Sequence, residues 1–150
     1  MIEGLMTGLS DLIGANKKDR VVAIIPARGG SKRLKRKNIF PIWGKPMLYW
    51  SIKAAKDSDY ITDVWVTTED KEIKKIALKY GAKVHDRDPR TAQDHVYKME
   101  AIREACSHIE RNYFKPEIVV SLQANSPEIS ARALDNAIES FIINDRNELM

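Results

Sequence analysis

The chain has 150 residues, of which 43% are hydrophobic and 31% charged, and its formal net charge is +4. This length matches one domain that folds without a metal or disulfide staple, and the composition excludes a disordered polar chain. No apolar run approaches the roughly 18 residues that a membrane span needs, and the single Cys106 has no disulfide partner in the chain. We therefore predict a soluble, cytoplasmic protein with no membrane contact.

The first twenty residues carry apolar side chains at helical spacing. Acidic Glu3 near the start, with no basic segment before the apolar residues, argues against a secretory signal. We predict that residues 1–20 form an amphipathic extension, which docks on the domain or on the second subunit of a homodimer. The apolar positions are Ile2, Leu5, Met6, Leu9, Leu12 and Ile13.

From residue 21 onward, short β-branched runs alternate with segments of helical period. This alternation predicts parallel strands joined by right-handed crossovers. We therefore predict an α/β fold for residues 21–150, with three α/β/α layers around a mainly parallel, Rossmann-like sheet. The predicted strands are 21–25, 63–67, 83–85 and 117–122, and the predicted helices are 46–55, 69–80, 94–109 and 131–143.

Helix-end signals support these assignments. Pro46 suits a first helical position, Gly81 suits the residue after a helix end, and Ser130 is a good N-cap. The chain then stops at Met150, just past a helix, which predicts that the C-terminal half of the fold is absent.

The loop after the first predicted strand carries the strongest functional signal. Residues 28–37 contain six Arg or Lys, with Gly29 and Gly30 among them. Glycines allow close approach and positive φ, loop amides can point at oxygens, and cations attract a polyanion. The spacing fits neither the Walker loop nor the dinucleotide fingerprint. We predict a site for a nucleoside triphosphate.

A solvated basic loop or a nucleic-acid contact is the competing interpretation of this run. For Lys32, Arg33, Lys35 and Arg36, plain solvation stands equally beside ligand binding. Arg28 and Ser31 differ, because they lie at a strand end, where an open parallel sheet binds its ligands.

Residues that follow the predicted strands converge at one edge of such a sheet. Gln123 and Asn125 follow the last strand, and their amides can pair with a base or ribose. Turn formation is the alternative for both. The other residues in these positions are Thr67, Thr68, Glu69, Asp70, Asp86, Arg87 and Asp88.

Residues 26–38 contain every fixed position of the pattern Pro-Ala-Arg-x-x-Ser-Lys-x-x-x-x-Lys-Asn. They resemble the signature loop of the sugar-activating cytidylyltransferases, the CMP-N-acylneuraminate synthetase group. The Gly-Lys-Pro at 44–46 matches a turn of that family. Segments 66–69 and 122–127 are similar to its Val-Ser-Thr-Asp and Leu-Gln-Pro-Thr-Ser-Pro, and 87–94 approximates its Arg-Pro-x-x-Leu-Ala-x-Asp. The resemblance covers the N-terminal part of a family member.

The resemblance implies a nucleotidyltransferase that activates a sialic acid-like 2-keto-3-deoxy acid sugar with CTP and Mg²⁺, releasing pyrophosphate. It implies catalytic roles for Arg28 and Lys37. No metal ligand is identified, since Asn125 stands where related CMP-Kdo synthetases have an aspartate. Asp94 equally fits a capping box with Thr91. The implied substrate-binding residues are Ala27, Gly29, Gly30, Ser31, Asn38, Arg87, Asp94, Gln123 and Asn125.

Three other functions stay open at this stage. One is a truncated nucleotide-binding module without catalysis, and another is a sugar-1-phosphate nucleotidyltransferase. Nucleic-acid binding is the least favoured, because the excess positive charge is local and the loop lacks interleaved aromatics. We assign His85, His95 and His108 to the surface or to helix caps, and Cys106 to the apolar interior.

Overall fold

The computed structural model describes residues 20–30, 37–92 and 98–144. The predicted extension therefore lies outside the described residues except for Arg20, and so do Ser31, Asp94 and His95. The described strands are β1 Val21–Pro26, β2 Pro41–Ile42, β3 Lys45–Pro46, β4 Asp63–Thr68, β5 Lys83–Asp86 and β6 Ile118–Ser121. The described α-helices are α1 Met47–Asp57, α2 Lys71–Lys79, α3 Lys98–Asn112 and α4 Ala131–Ile143.

The main sheet has the strand order β5-β4-β1-β6, and each neighbouring pair is parallel. The chain builds outward from β1 to β4 and β5, then returns to place β6 on the other side of β1. The strand order thus reverses between β1 and β6. In open parallel sheets, ligands bind outside the carboxyl ends of the strands at such a point. The predicted parallel α/β fold is confirmed.

Both faces of the sheet are covered, which makes three layers. One side of β1 and β4 packs on α1, α2 and α4 through residues such as Ile25, Ile52 and Ile138. The other side packs on α3 through Trp65 and Ile109. Burial on both faces explains why β1 is a continuous apolar run.

Two of the three residues predicted to mark helix ends have the predicted role in the structure. Ser130 Oγ accepts from Ala133 N at 3.1 Å, which confirms the N-cap of α4. Gly81 follows the end of α2 with φ +90°, a conformation that glycine adopts readily. Pro46 instead precedes the helix with φ −56° and ψ 144°, because it pairs with Pro41 in the β2–β3 hairpin.

The β2–β3 hairpin is an element that the sequence did not predict. Trp43 and Gly44 form its turn with φ 50° and 80°, and Trp43 is 67% exposed. Trp50 Nε1 donates to Ile42 O at 3.0 Å and fixes the hairpin on α1. Strands of two residues are too short to show a period-2 pattern, so periodicity could not reveal them.

None of the described helices combines the length and the apolar character needed to cross a membrane.

Candidate functional site

The loops after β1 and β6 lie beside each other at the strand-order reversal. Leu122 N donates to Ile24 O at 3.0 Å, which continues the pairing of these strands beyond β6. The buried Ser51 of α1 donates from Oγ to Gln123 O at 2.6 Å. The main chain of the second loop is therefore held against both the sheet and α1.

The loop after β1 is anchored at both of its described ends. Ala27 is fully buried, and its N–H donates to Thr67 O at 3.0 Å. The chain returns in a short 3₁₀ helix, Lys37–Ile39, where the buried Asn38 donates from Nδ2 to Arg28 O at 3.0 Å. This bond holds the segment of Lys37 and Asn38 next to Arg28. Arg28 and Lys37 are half-buried, and both carry positive charge.

The first glycine amide of this loop bonds an anionic oxygen. Gly29 N donates to Glu69 Oε1 at 2.6 Å and lies 3.3 Å from Glu69 Oε2. Glu69 follows β4, the strand that pairs with β1. The geometry supports the prediction that loop amides point at oxygens, since a carboxylate already occupies that position.

The reason for glycine in this loop differs from the predicted one. Among the described glycines, only Gly44 and Gly81 have positive φ, so the expected left-handed conformation of Gly29 and Gly30 is wrong. A Cβ on Gly29 would lie 2.8 Å from Asp70 Cγ, whereas one on Gly30 would meet nothing within 4 Å. Close packing of Asp70 therefore requires a glycine at position 29.

Arg87 is a buried cation next to this loop, 6% exposed. Its Nε donates to Thr91 Oγ1 at 3.2 Å, and its Nη2 donates to Thr91 O. Burial lowers the pKa of Arg87, Glu104 and Glu69 oppose that shift, and Arg28 reinforces it. Arg87 is thus within electrostatic range of Arg28 and Glu69.

Thr91 connects Arg87 to α3. It lies in a 3₁₀ helix, Pro89–Thr91, whose N-cap is Asp88. Thr91 Oγ1 is 2.8 Å from Glu104 Oε2 and 2.8 Å from Asp88 O. A capping box between Thr91 and Asp94 stays a prediction, because Asp94 lies outside the described residues.

The amide side chains predicted to contact the nucleotide are on the surface of the second loop. Gln123 and Asn125 are both exposed. The bond that anchors this loop uses the main-chain oxygen of Gln123, so it does not engage the side-chain amide. Ser31, the remaining predicted phosphate contact, lies outside the described part of the chain.

His85 is not at the surface, contrary to the sequence assignment. It is 6% exposed, and its Nδ1 is 2.8 Å from Thr67 Oγ1. The alternation of β5 places it on the α3 face, where its ring centroid is 4.9 Å from that of His108. Burial lowers the pKa of His85, and the nearby His108 adds to that shift. The half-buried Cys106 has a pKa raised by burial, as expected for an apolar position.

Within residues 20–30, 37–92 and 98–144, no group of three or more His, Cys, Asp or Glu is placed to hold a metal ion. Two carboxylates near the loop already have partners. Glu69 bonds Gly29, and Asp70 Oδ1 accepts from Glu72 N at 2.9 Å and Ile73 N at 3.0 Å. These carboxylates of the described residues therefore do not form a metal site of their own.

Two contacts of this region were not predicted from the sequence. Glu69 was placed at the ligand-binding edge because it follows a predicted strand, but its bond to Gly29 was not predicted. The pairing of Thr91 with Glu104 carried no such signal, since it depends on how α3 packs against the sheet.

The chain is similar in sequence to known proteins. Residues 22–148 match a family model described as Cytidylyltransferase. N-acylneuraminate cytidylyltransferase A of Danio rerio is 40% identical over 123 residues, which cover 82% of this chain and 28% of that protein. Pseudaminic acid cytidylyltransferase of Campylobacter jejuni is 37% identical over 124 residues, which cover 82% of this chain and 53% of that protein.

A solved structure also resembles the fold. CMP:2-keto-3-deoxy-manno-octonic acid synthetase complexed with CTP aligns with a TM-score of 0.72 and 25% identity, covering 85% of this chain and 49% of that one. The chain spans 28% to 53% of the length of these curated relatives. The resemblance seen in residues 26–38 is confirmed, and the chain belongs to the cytidylyltransferase family.

Proposed function

We propose that this chain is the nucleotide-binding part of an enzyme that activates an acidic keto-sugar with CTP. The curated relatives named above are cytidylyltransferases of N-acylneuraminate and pseudaminic acid, which supports an acidic sugar as the acceptor. The observation that carries the proposal is the bond from the Gly29 amide to a carboxylate oxygen at 2.6 Å, beside the basic loop. This bond supports an anion site in the loop after β1.

In the proposed reaction, the anomeric hydroxyl oxygen of the sugar attacks the α-phosphorus of CTP. The new bond joins that oxygen to phosphorus, and the bond from the α-phosphorus to the bridging oxygen of the β-phosphate breaks. The hydroxyl proton passes to solvent, and the electron pair of the broken bond leaves with pyrophosphate. Catalysis then consists of positioning and of stabilising charge on the phosphates.

Arg28 and Lys37 are the proposed catalytic cations, because the bond from Asn38 to Arg28 O holds their two segments together. The amides of Gly29 and Gly30 contribute donors, next to the buried Ala27. We assign Ser31 to the triphosphate as well. The remaining proposed contacts are Arg87 and Asp94 near the nucleotide, and Gln123 and Asn125 on the cytidine side.

We also propose that Mg²⁺ accompanies CTP, since the triphosphate itself offers oxygens that this ion prefers. A cytoplasmic location follows from the lone Cys106 and the cytosolic availability of CTP. Residues 21–150 form the proposed nucleotide-binding domain, preceded by an extension at 1–20 that packs on the domain or in a homodimer.

The test measures CTP binding by calorimetry with the wild-type chain, Arg28→Ala and a matched control, Arg111→Ala. Arg111 is exposed in the last turn of α3. We expect CTP to bind better than ATP. Arg28→Ala should weaken CTP binding about tenfold or more, as for the loss of a hydrogen bond to a charged group, and Arg111→Ala should leave it unchanged.

Pyrophosphate release with CTP, Mg²⁺ and a panel of acidic keto-sugars then tests transfer. Release that depends on one of the sugars supports the enzyme. Binding without release by any of them would show a nucleotide-binding module instead. Equal binding of CTP and ATP, or binding of nucleic acid with steep salt dependence, contradicts the proposal.

A further inference from the structure

We propose that the Glu69 carboxylate is an internal stand-in for a phosphate oxygen, which the nucleotide must displace from Gly29 in order to bind. This inference rests on the proposed function, because it concerns the same loop. It makes Glu69 a residue that lowers the affinity of this loop for phosphate groups, so that tight binding requires the many contacts of a polyphosphate.

The contact has the character of an anion bound in the loop. Glu69 Oε1 is 2.6 Å from Gly29 N, a short hydrogen bond, and bonds to carboxylate oxygens are shorter and stronger than bonds between neutral groups. Oε2 lies 3.3 Å from the same N. A phosphate oxygen that binds this amide needs the same donor, so the two cannot be present together.

The main chain on both sides of Glu69 is fixed. Arg87 N donates to Thr68 O at 2.9 Å, and Asp70 N donates to Thr68 Oγ1 at 3.1 Å. Asp70 then caps α2. Displacement of the carboxylate therefore requires rotation of one side chain and leaves the strand and the helix in place.

The reach of the side chain is specific to glutamate. The family pattern that segment 66–69 resembles ends in Asp, which is one methylene shorter. From the same fixed main-chain position, an aspartate carboxylate does not reach as far toward Gly29. The bond to the amide is thus a consequence of the Glu at this position.

One guanidinium group gains from the negative charge of Glu69. Burial lowers the pKa of Arg87, and the charges of Glu104 and Glu69 oppose that shift. Arg87 therefore has counterions before any ligand binds. A triphosphate brings more negative charge than the carboxylate it replaces, whereas a single anion brings little more and gains few further contacts.

The experiment uses two variants of Glu69 and one matched control. Glu69→Gln removes the charge and keeps the shape, and Glu69→Asp keeps the charge and shortens the reach. Glu72→Gln removes a carboxylate from the first turn of the adjacent α2, which controls for long-range charge. Binding of tripolyphosphate, CTP and inorganic phosphate is measured by calorimetry in EDTA.

We expect both Glu69 variants to bind tripolyphosphate and CTP about tenfold more tightly, which corresponds to ~1.4 kcal/mol. Inorganic phosphate should gain by a similar factor in the same variants, because it needs the same Gly29 donor. Glu72→Gln should change each affinity by about twofold or less. In ¹H–¹⁵N spectra, the Gly29 amide proton should shift in Glu69→Gln and, on adding tripolyphosphate, in the wild type.

Unchanged or weaker tripolyphosphate binding by Glu69→Gln, with an intact thermal transition, overturns the inference. An equal gain in Glu72→Gln also overturns it, because charge alone would then explain the effect. If Glu69→Gln does not fold, the tripolyphosphate affinity of Glu69→Asp and the shift of the Gly29 amide proton in the wild type test the inference instead. If the Glu69 variants tighten tripolyphosphate but CTP is no better than ATP, the proposed function fails and the inference stands.

Discussion

The centre of the main sheet and its carboxyl edge are held by different interactions. At the centre, Ile24 and Ile25 are fully buried against apolar side chains on opposite faces. At the edge, polar groups have internal partners, among them the Gly29 amide, the Arg28 carbonyl and the Arg87 guanidinium. Apolar contacts are numerous and non-directional, whereas each of these polar groups has one or two specific partners.

This difference separates stability from binding. The centre cannot exchange its partners, because a closely packed interior leaves no alternative contact. The edge can exchange a carboxylate for a phosphate, since both are anionic oxygen acceptors. Variants of the two regions should therefore differ in how strongly they affect unfolding and how strongly they affect ligand affinity.

The largest effect on stability is expected at the centre. Ile25→Ala removes a fully buried side chain from β1 and should lower the free energy of unfolding by about 2–5 kcal/mol in urea titrations. Leu78→Ala, at a position 54% exposed, is the control and should cost about 0.5 kcal/mol or less. Equal losses of unfolding free energy in the two variants would contradict the stabilising role of the buried centre.

A smaller loss of stability is expected at the carboxyl edge of the sheet. Asn38→Ala removes the buried side-chain amide that donates a hydrogen bond to Arg28 O. The free energy of unfolding should fall by about 1–3 kcal/mol, and CTP affinity should fall with it. The control, Asn136→Ala on the exposed side of α4, should change neither quantity. A stability loss with unchanged CTP affinity would separate Asn38 from the site.

The two loop glycines give a finer test of the edge. Gly29→Ala should displace the Asp70 side chain and weaken the N-cap of α2, at a cost of about 0.5–2 kcal/mol. Gly30→Ala has open space around the new methyl and no positive φ, so its stability should be unchanged or slightly higher. Thermal unfolding of the two variants side by side measures the difference, and a reversed order would refute the packing argument.

The smallest effect concerns the pH dependence of stability. The pKa of His85 is lowered by burial and by His108 and Arg87, while Glu104 and Asp86 oppose the shift. The unfolded chain therefore takes up a proton at higher pH than the folded one. The stability contribution of neutral His85 is complete above the ordinary histidine pKa, about 6.5, and declines as pH falls below it.

His85→Gln should therefore reduce the loss of stability between pH 7.5 and pH 5.5, which urea titrations at the two values will measure. An identical pH dependence in the wild type and His85→Gln would show that this histidine does not contribute. The thermal transition of the variant at pH 7.5 confirms that it folds.

Much of the fold followed from local patterns. The apolar runs of β1 and β4 and the stripe of α4 were found within a few residues of their observed bounds, because burial on one or two faces leaves a period in the sequence. The β2–β3 hairpin and the interior position of His85 left no such period. A two-residue strand is too short, and a polar residue in an edge strand has no pattern that distinguishes inside from outside.

The candidate site divides in the same way. The basic glycine loop was visible because residues 26–38 are contiguous and match a family pattern. The partner of its first glycine could not be predicted, since Glu69 reaches Gly29 only after β1 and β4 pair.

The sequence by itself determined the order of strands and helices, the family and the loop that carries the positive charge, because these depend on residues close together in the chain. The tertiary structure alone decided that a carboxylate occupies the Gly29 amide and that Asp70 makes glycine necessary there. Those contacts join segments separated by whole strands and helices, and their geometry is set by packing.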